Sequence, residues 1–279
     1  MKKGIIKKIA LTGLISMMAF GFVGCGNNAE KAENNNVLNS IKESGKLVVG
    51  LSADYAPYEF HKKVDGKDKI VGFDITMAEE IAKDMGVKVE YKDMDFDGLL
   101  GALDAGKVDI VLSGMTPNEE RKKSVDFSEL FYEDSNVCVV KKGKEDMVKS
   151  ADDLKDLKVG VQSGTTQADY VTNTLGITSA KQLKRVPDLM MDLQNGNIDV
   201  IVTGKNVANI NIGQYDGLAI GKTTVGQEVA ESTAAAIKKS TDDCDNTSLV
   251  KSINDTIKRL KDDNKMDGYM QEALKLAEK

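Results

Sequence analysis

The stretch Ser113-Gly114-Met115-Thr116-Pro117-Asn118-Glu119-Glu120-Arg121 gathers groups suited to gripping a small anion. Thr116, Pro117 and Glu119 stand in the order of a capping box with proline at the first helical position. A helix starting there would aim free backbone N–H groups and its positive pole past the end of the preceding strand. Arg121 would sit about one turn in, and helical side chains lean toward the N-terminus. Its planar guanidinium then reaches the same spot, where it can hold a carboxylate through two parallel hydrogen bonds. The alternative is a surface helix that Thr116 merely caps, with Arg121 paired to Glu119, Glu120 or Asp126.

Other chemistries find little material. A single His, three Cys and no Trp among 279 residues argue against a multi-histidine metal centre and a disulfide scaffold. No Ser/His/Asp or Cys/His set can be assembled around that one His, so neither a catalytic residue, a metal nor a cofactor is expected. Gly160-Val-Gln-Ser-Gly164 is rich in glycine but lacks the lysine of a nucleotide loop. A formal charge of −6 with three Arg argues against a nucleic-acid partner. His61 reads as a solvated imidazole in a Lys-rich loop, Asp74 as a helix N-cap, and Asp109 and Asp199 as holders of neighbouring backbone.

The elements that must carry the anion site alternate. Leu47–Leu51, Val87–Tyr91 and Val108–Leu112 are short, β-branched runs. Met77, Ala78, Ile81, Ala82 and Met85 recur at helical spacing and stop at Gly86; Leu99, Leu100 and Leu103 mark a further helix closed by Gly106. A second set follows, with strands at Lys158–Val161 and Leu183–Val186 around a helix Thr166–Leu175 that Gly176 ends. The segment from Leu99 to Gly114 matches that from Leu189 to Gly204 in its helix, glycine stop, Asp-containing strand and hydroxyl-Gly pair. Such alternation predicts α/β architecture: two similar lobes, each a mostly parallel sheet flanked by helices. Ligands gather beyond the carboxyl ends of parallel strands, so Ser113-Gly114 and Thr203-Gly204 would face one another across a cleft. Leu249, Ile253, Ile257 and Leu260 form a core-facing stripe near the end of the chain.

The front end has a different character. Lys2, Lys3, Lys7 and Lys8 precede an uncharged apolar run, Ile9 to Val23, too short to span a bilayer comfortably. Phe22-Val23-Gly24-Cys25 resembles the lipobox of bacterial lipoproteins, with Phe22 where leucine is usual, which implies diacylation of the Cys25 thiol. Residues 1–24 are then a cleaved signal peptide and 25–45 a lipid-anchored flexible leash, of which Gly26 to Asn36 is polar, Asn-rich and without an apolar face. Cys138, in an apolar run, reads as a small core residue, with pairing to Cys244 left open.

VVGLSADYAPYEF (48–60), VGFDITMAEEIAKDMG (71–86), GKVDIVLSGMTPNEERKKSVDFSELFY (106–132) and KVGVQSGTTQ (158–167) resemble the polar-amino-acid-binding proteins of ABC importers. That resemblance covers nearly all of 45–279 and implies the type II periplasmic-binding-protein fold. It also implies site roles: Tyr55 over the ligand side chain with Ser52 beside it, Phe96 as an apolar wall, and Ser113 and Gly114 as oxygens near the ammonium. Thr116 and Arg121 would bind the carboxylate, joined by Gly164, Thr165 and Thr166 from the second lobe, with Gln167 nearby. Where the family usually places Asp or Glu against the ammonium, this sequence has Gly204. Asp54 or Asp95 could replace it, backbone oxygens with Ser113 could suffice, or the ligand could lack an α-ammonium.

On this reading lobe 1 is 46–140 plus 231–279 and lobe 2 is 141–230, with a two-strand hinge near Val139–Lys142 and Thr233–Lys238. The protein is then a monomeric, extracytoplasmic binding lipoprotein that captures an amino acid or related carboxylate by closing. It delivers that solute to an ABC permease and its ATPase. Two alternatives stand beside it. Dehydratases of cyclic dienyl acids share this fold but need a buried acid over the ligand, for which no carboxylate is an obvious candidate. A sensing domain would feed a separate receptor.

Overall fold

The structure, a computed structural model, describes residues 36–226 and 231–278. The expected signal peptide, Cys25 and most of the leash lie outside those residues. The end of the expected leash is corrected: Val37–Ser44 is a helix, capped by the Asn36 side chain, which accepts from the Asn39 N–H. Leu38 and Ile41 lie one turn apart and bury together against the core, which docks an otherwise polar segment.

Two five-stranded sheets organise the chain. The first runs Lys88–Asp93, Lys46–Leu51, Ile110–Val111, Ala236–Lys238, Val125–Phe127. The second runs Lys181–Leu183, Val159–Gln162, Val200–Gly204, Asn136–Lys141, Leu218–Thr224. In each, the first three strands are parallel and the last two join antiparallel. The sheets are therefore mixed rather than mostly parallel. The antiparallel fourth strand of each sheet is the one that has just crossed from the other lobe.

That crossing corrects the expected boundary and hinge. Asn136–Lys141 pairs with Val200–Gly204 along its length, so it belongs to the second sheet, not the first lobe. Ala236–Lys238 lies inside the first sheet. The two chain passages meet instead as an antiparallel ribbon, Tyr132–Asp134 against Glu231–Thr233. Val137, Cys138, Val139 and Val140 are all buried because the strand has sheet neighbours on both edges and helices or loops on both faces.

Period-two alternation divides the core. Val139 and Ile201 face one apolar cluster, while Cys138, Val140, Val200 and Val202 face another on the opposite side of the sheet. Cys138 and Cys244 are both free thiols, and burial pushes the Cys138 thiol up to about 12. The repeat is structural as well as sequential. Leu99–Asp104 is followed by Gly106 (φ 67°) and Val186–Asn195 by Gly196 (φ 77°), each glycine N–H closing back on the last turn. Asp109 accepts from the Val48 N–H at 2.7 Å and Asp199 from the Lys158 N–H at 2.9 Å, tying equivalent strands in the two lobes. Leu249, Ile253, Ile257 and Leu260 are fully buried on the helix Thr247–Asp262, the core-facing stripe expected.

Candidate functional site

The carboxyl ends of the parallel strands of both sheets converge on one pocket. Its first-lobe wall is Tyr55, Phe96, Gly114, Thr116 and Arg121. The second-lobe wall is Gln162, Thr165, Thr166 and Gln167. Eight of the twelve residues singled out in the sequence thus line one space.

The expected helix at Pro117 is absent, and this changes how Arg121 is held. Residues 117–120 are irregular and the helix is only Arg121–Ser124. Thr116 does not cap it, Glu120 holds the N-cap position, and the Asn118 Oδ1 accepts from the Arg121 N–H at 2.7 Å. The Ala234 N–H donates to the Met115 carbonyl, which draws the segment alongside the crossing strand and away from helical geometry. Arg121 turns inward, donating from Nη1 to the Thr116 carbonyl at 2.6 Å and from Nη2 to the Gly164 carbonyl at 2.9 Å. The second bond spans the lobes. Its guanidinium carbon lies 5.5 Å over the Phe96 ring, a cation–π placement.

Arg121 is only 8% exposed. Burial draws its guanidinium down to about 10, and Asp169 alone opposes that shift among the described residues. The surface pairing with Glu119, Glu120 or Asp126 does not occur: those acids bind Lys122, Lys123 and Lys239. A buried guanidinium facing only carbonyl oxygens is costly unless an anion joins it.

The second-lobe wall is neutral. Thr165 caps the helix that Thr166 begins, its hydroxyl accepting from the Ala168 N–H at 3.1 Å. The amide of Gln167 donates to Asn136 Oδ1 at 2.8 Å and that of Gln162 to the Lys184 carbonyl at 3.0 Å. Gln162 is the lining residue that sequence reasoning missed. Its strand runs one residue further than the apolar run Val159–Val161, and the polar tip Gln162-Ser163-Gly164 was its only signal.

Four expected residues stand just outside the lining. Ser52 donates its hydroxyl to Asp54 at 3.0 Å and its N–H to Ser113 Oγ at 3.0 Å. Ser113 in turn donates to Glu59 Oε1 at 2.5 Å. Gly164 contributes its carbonyl to Arg121. Gly204 is buried at the end of its strand, in register with Asn136.

The proposed substitutes for an acid at Gly204 are otherwise engaged. Asp54 accepts across the cleft from the Val186 N–H at 3.1 Å, and Asp95 pairs with Lys184 at 2.5 Å on the rim. Asp74 is not an N-cap; Gly72 holds that place. Asp74 is 1% exposed and accepts from the Gly114 N–H at 2.7 Å, and burial raises its carboxyl to about 7. Nor is His61 merely solvated: it lies on the strand Glu59–Val64 between Asp93 and Asp68, which raise its pKa. Tyr55 is set over the pocket by stacking on Tyr58 at 5.6 Å between ring centroids.

Residues 47–274 match the bacterial extracellular solute-binding proteins, family 3. The chain belongs to that family. Among relatives of this family 3 protein, the L-cystine-binding protein TcyJ of Escherichia coli K12 is 33% identical over 252 residues, 90% of each chain. The arginine-binding extracellular protein ArtP of Bacillus subtilis is 36% identical over 208 residues, 73% of this chain and 75% of its own. The amino acid ABC transporter substrate-binding protein AbpA of Streptococcus pneumoniae, solved with L-arginine, superposes with a TM-score of 0.81 at 35% identity. That match covers 86% of this chain and 99% of AbpA. The two-lobed α/β architecture is the periplasmic-binding-protein fold of these neighbours. Among the described residues, no helix is long and apolar enough to cross a membrane.

Proposed function

We propose that this protein captures an amino acid or related small carboxylate between its lobes and hands it to the permease of an ABC importer. One observation carries the reading: Arg121 is buried between two walls, its guanidinium bonded only to carbonyls among the described residues, and shared by both lobes. A ligand carboxylate would take the guanidinium in place of Gly164 and accept from the helix N-terminus at Thr166. Tyr55 and Phe96 would enclose the side chain. Contacts to both walls favour the shut form, which is how binding becomes closure. No covalent step is assigned to any residue. Relatives named for cystine and arginine support an amino acid as the solute.

The reading extends to the cell surface. Cys25 would carry the lipid and 26–36 the tether, with the monomeric binding domain outside the cytoplasm. A thermal-shift panel of amino acids and small organic acids tests capture, because a ligand that binds only the folded state raises the melting point. A flat panel would remove the proposal. Mass spectrometry of the membrane-extracted chain tests the anchor: diacylglyceryl on Cys25 is expected, and a Cys25→Ser chain should appear in the medium.

A further inference from the structure

The pocket lining holds one cation and no carboxylate, and Gly204 offers no acid from the second lobe. An amino acid's ammonium would thus arrive beside a buried guanidinium with no carboxylate in the lining, and Asp169, the one described acid that acts on Arg121, is exposed. Two buried carboxyl groups lie one layer behind the first-lobe wall. Asp74, on the helix Phe73–Met85, accepts from the Gly114 N–H, and Glu59 accepts from the Ser113 hydroxyl. Both carboxylates are fully buried. The second oxygen of Asp74 has no hydrogen-bond partner among the described residues, and no basic group contributes to its ionisation.

Peptide geometry gives this layer a direction. The peptide is planar and trans, so a Gly114 N–H aimed at Asp74 turns the Ser113 carbonyl the opposite way, away from Asp74. Hydrogen bonds polarise one another in series, so a peptide donating to a carboxylate has a stronger acceptor at its other end. Gly114 has φ 51°, the left-handed region in which glycine turns at no steric cost.

Resting on the capture reading above, we infer that Asp74, supported by Glu59, is the positioning residue for the ligand ammonium. It balances that charge through the Ser113–Gly114 peptide in place of an acid at position 204. A cation arriving there favours the ionised form of Asp74, as a nearby opposite charge does. Asp74 touches no ligand atom in this scheme. Its effect falls on solutes that carry an α-ammonium and spares those that do not.

Matched ligand pairs test this. L-Arginine is compared with 5-guanidinopentanoate and L-glutamine with 5-amino-5-oxopentanoate, by calorimetry on the parent protein and on Asp74→Asn. Asparagine keeps an acceptor for the Gly114 N–H, removes the charge and puts an amide NH2 where the unpartnered oxygen stood, a cost to folding that both members of a ligand pair share. The expected result is a loss of about tenfold or more for the amino acid and less than about threefold for its deaminated partner, as charge-assisted bonds lose more than neutral ones. Equal losses for both ligands, or no loss for the amino acid, would overturn the inference. If Asp74→Asn does not fold, Glu59→Gln decides by the same criterion. Failure of every amino acid to bind the parent protein would overturn the capture reading itself, and this inference with it.

Discussion

The two lobes are built alike and furnished differently. Both sheets share one strand plan, one aspartate tie between equivalent strands, and one glycine, Gly106 or Gly196, that turns back on the equivalent helix. Yet the first-lobe wall holds the charge, with Arg121 in the pocket and Glu59 and Asp74 behind it. The second-lobe wall holds hydroxyls and amides. A shared scaffold thus leaves the strand ends free to specialise: one wall compensates charge, and the other closes with neutral hydrogen bonds that cost little to desolvate.

The sharpest way to break this division is Arg121→Ala. It should cut affinity for a carboxylate ligand by about thirtyfold or more, since truncating one partner of a buried charge pair costs roughly 2–5 kcal/mol; calorimetry reads it. Thr166→Val on the neutral wall should cost about fivefold, in line with one lost hydrogen bond of about 1 kcal/mol. If the two variants lose equally, the walls are not specialised as described.

Contacts across the rim sharpen the comparison further. Lys184 and Arg185 of the second lobe meet Asp95 and Asp54 of the first. Lys184→Ala should weaken binding only about two- to fourfold, and less at high salt, because the pair is exposed and exposed pairs contribute about 0.2–1 kcal/mol. The smallest effect expected is at His61. Asp93 and then Asp68 raise its pKa, so its stabilising contribution is full below the ordinary imidazole value and is lost as pH rises through the raised one. His61→Ala should therefore lower the melting point at pH 5 and leave it unchanged at pH 9, with a difference below about 1 kcal/mol for so exposed a pair.

Legibility in the sequence followed the range of the interaction. Gly86 and Gly196 are readable as helix stops, because a left-handed cap depends on residues within one turn. Thr165-Thr166 likewise reads as a helix start. Thr116 misleads because three capping features agree locally, while the Met115 carbonyl is recruited by Ala234, more than a hundred residues away. Asp74 misleads in the same way: a helix start is legible there, but a burial that makes Gly114 its partner is not.

By itself the amino-acid sequence determined the alternating elements, their glycine stops, the duplicated plan and the single arginine suited to an anion. All of these rest on periodicity or on bonds between near neighbours. Tertiary structure alone decided that Asn136–Lys141 joins the second sheet, that Arg121 bonds across the cleft, and that two carboxylates lie buried behind Ser113–Gly114. Strand pairing and the burial of charge depend on which distant segments meet, and no local pattern encodes that meeting.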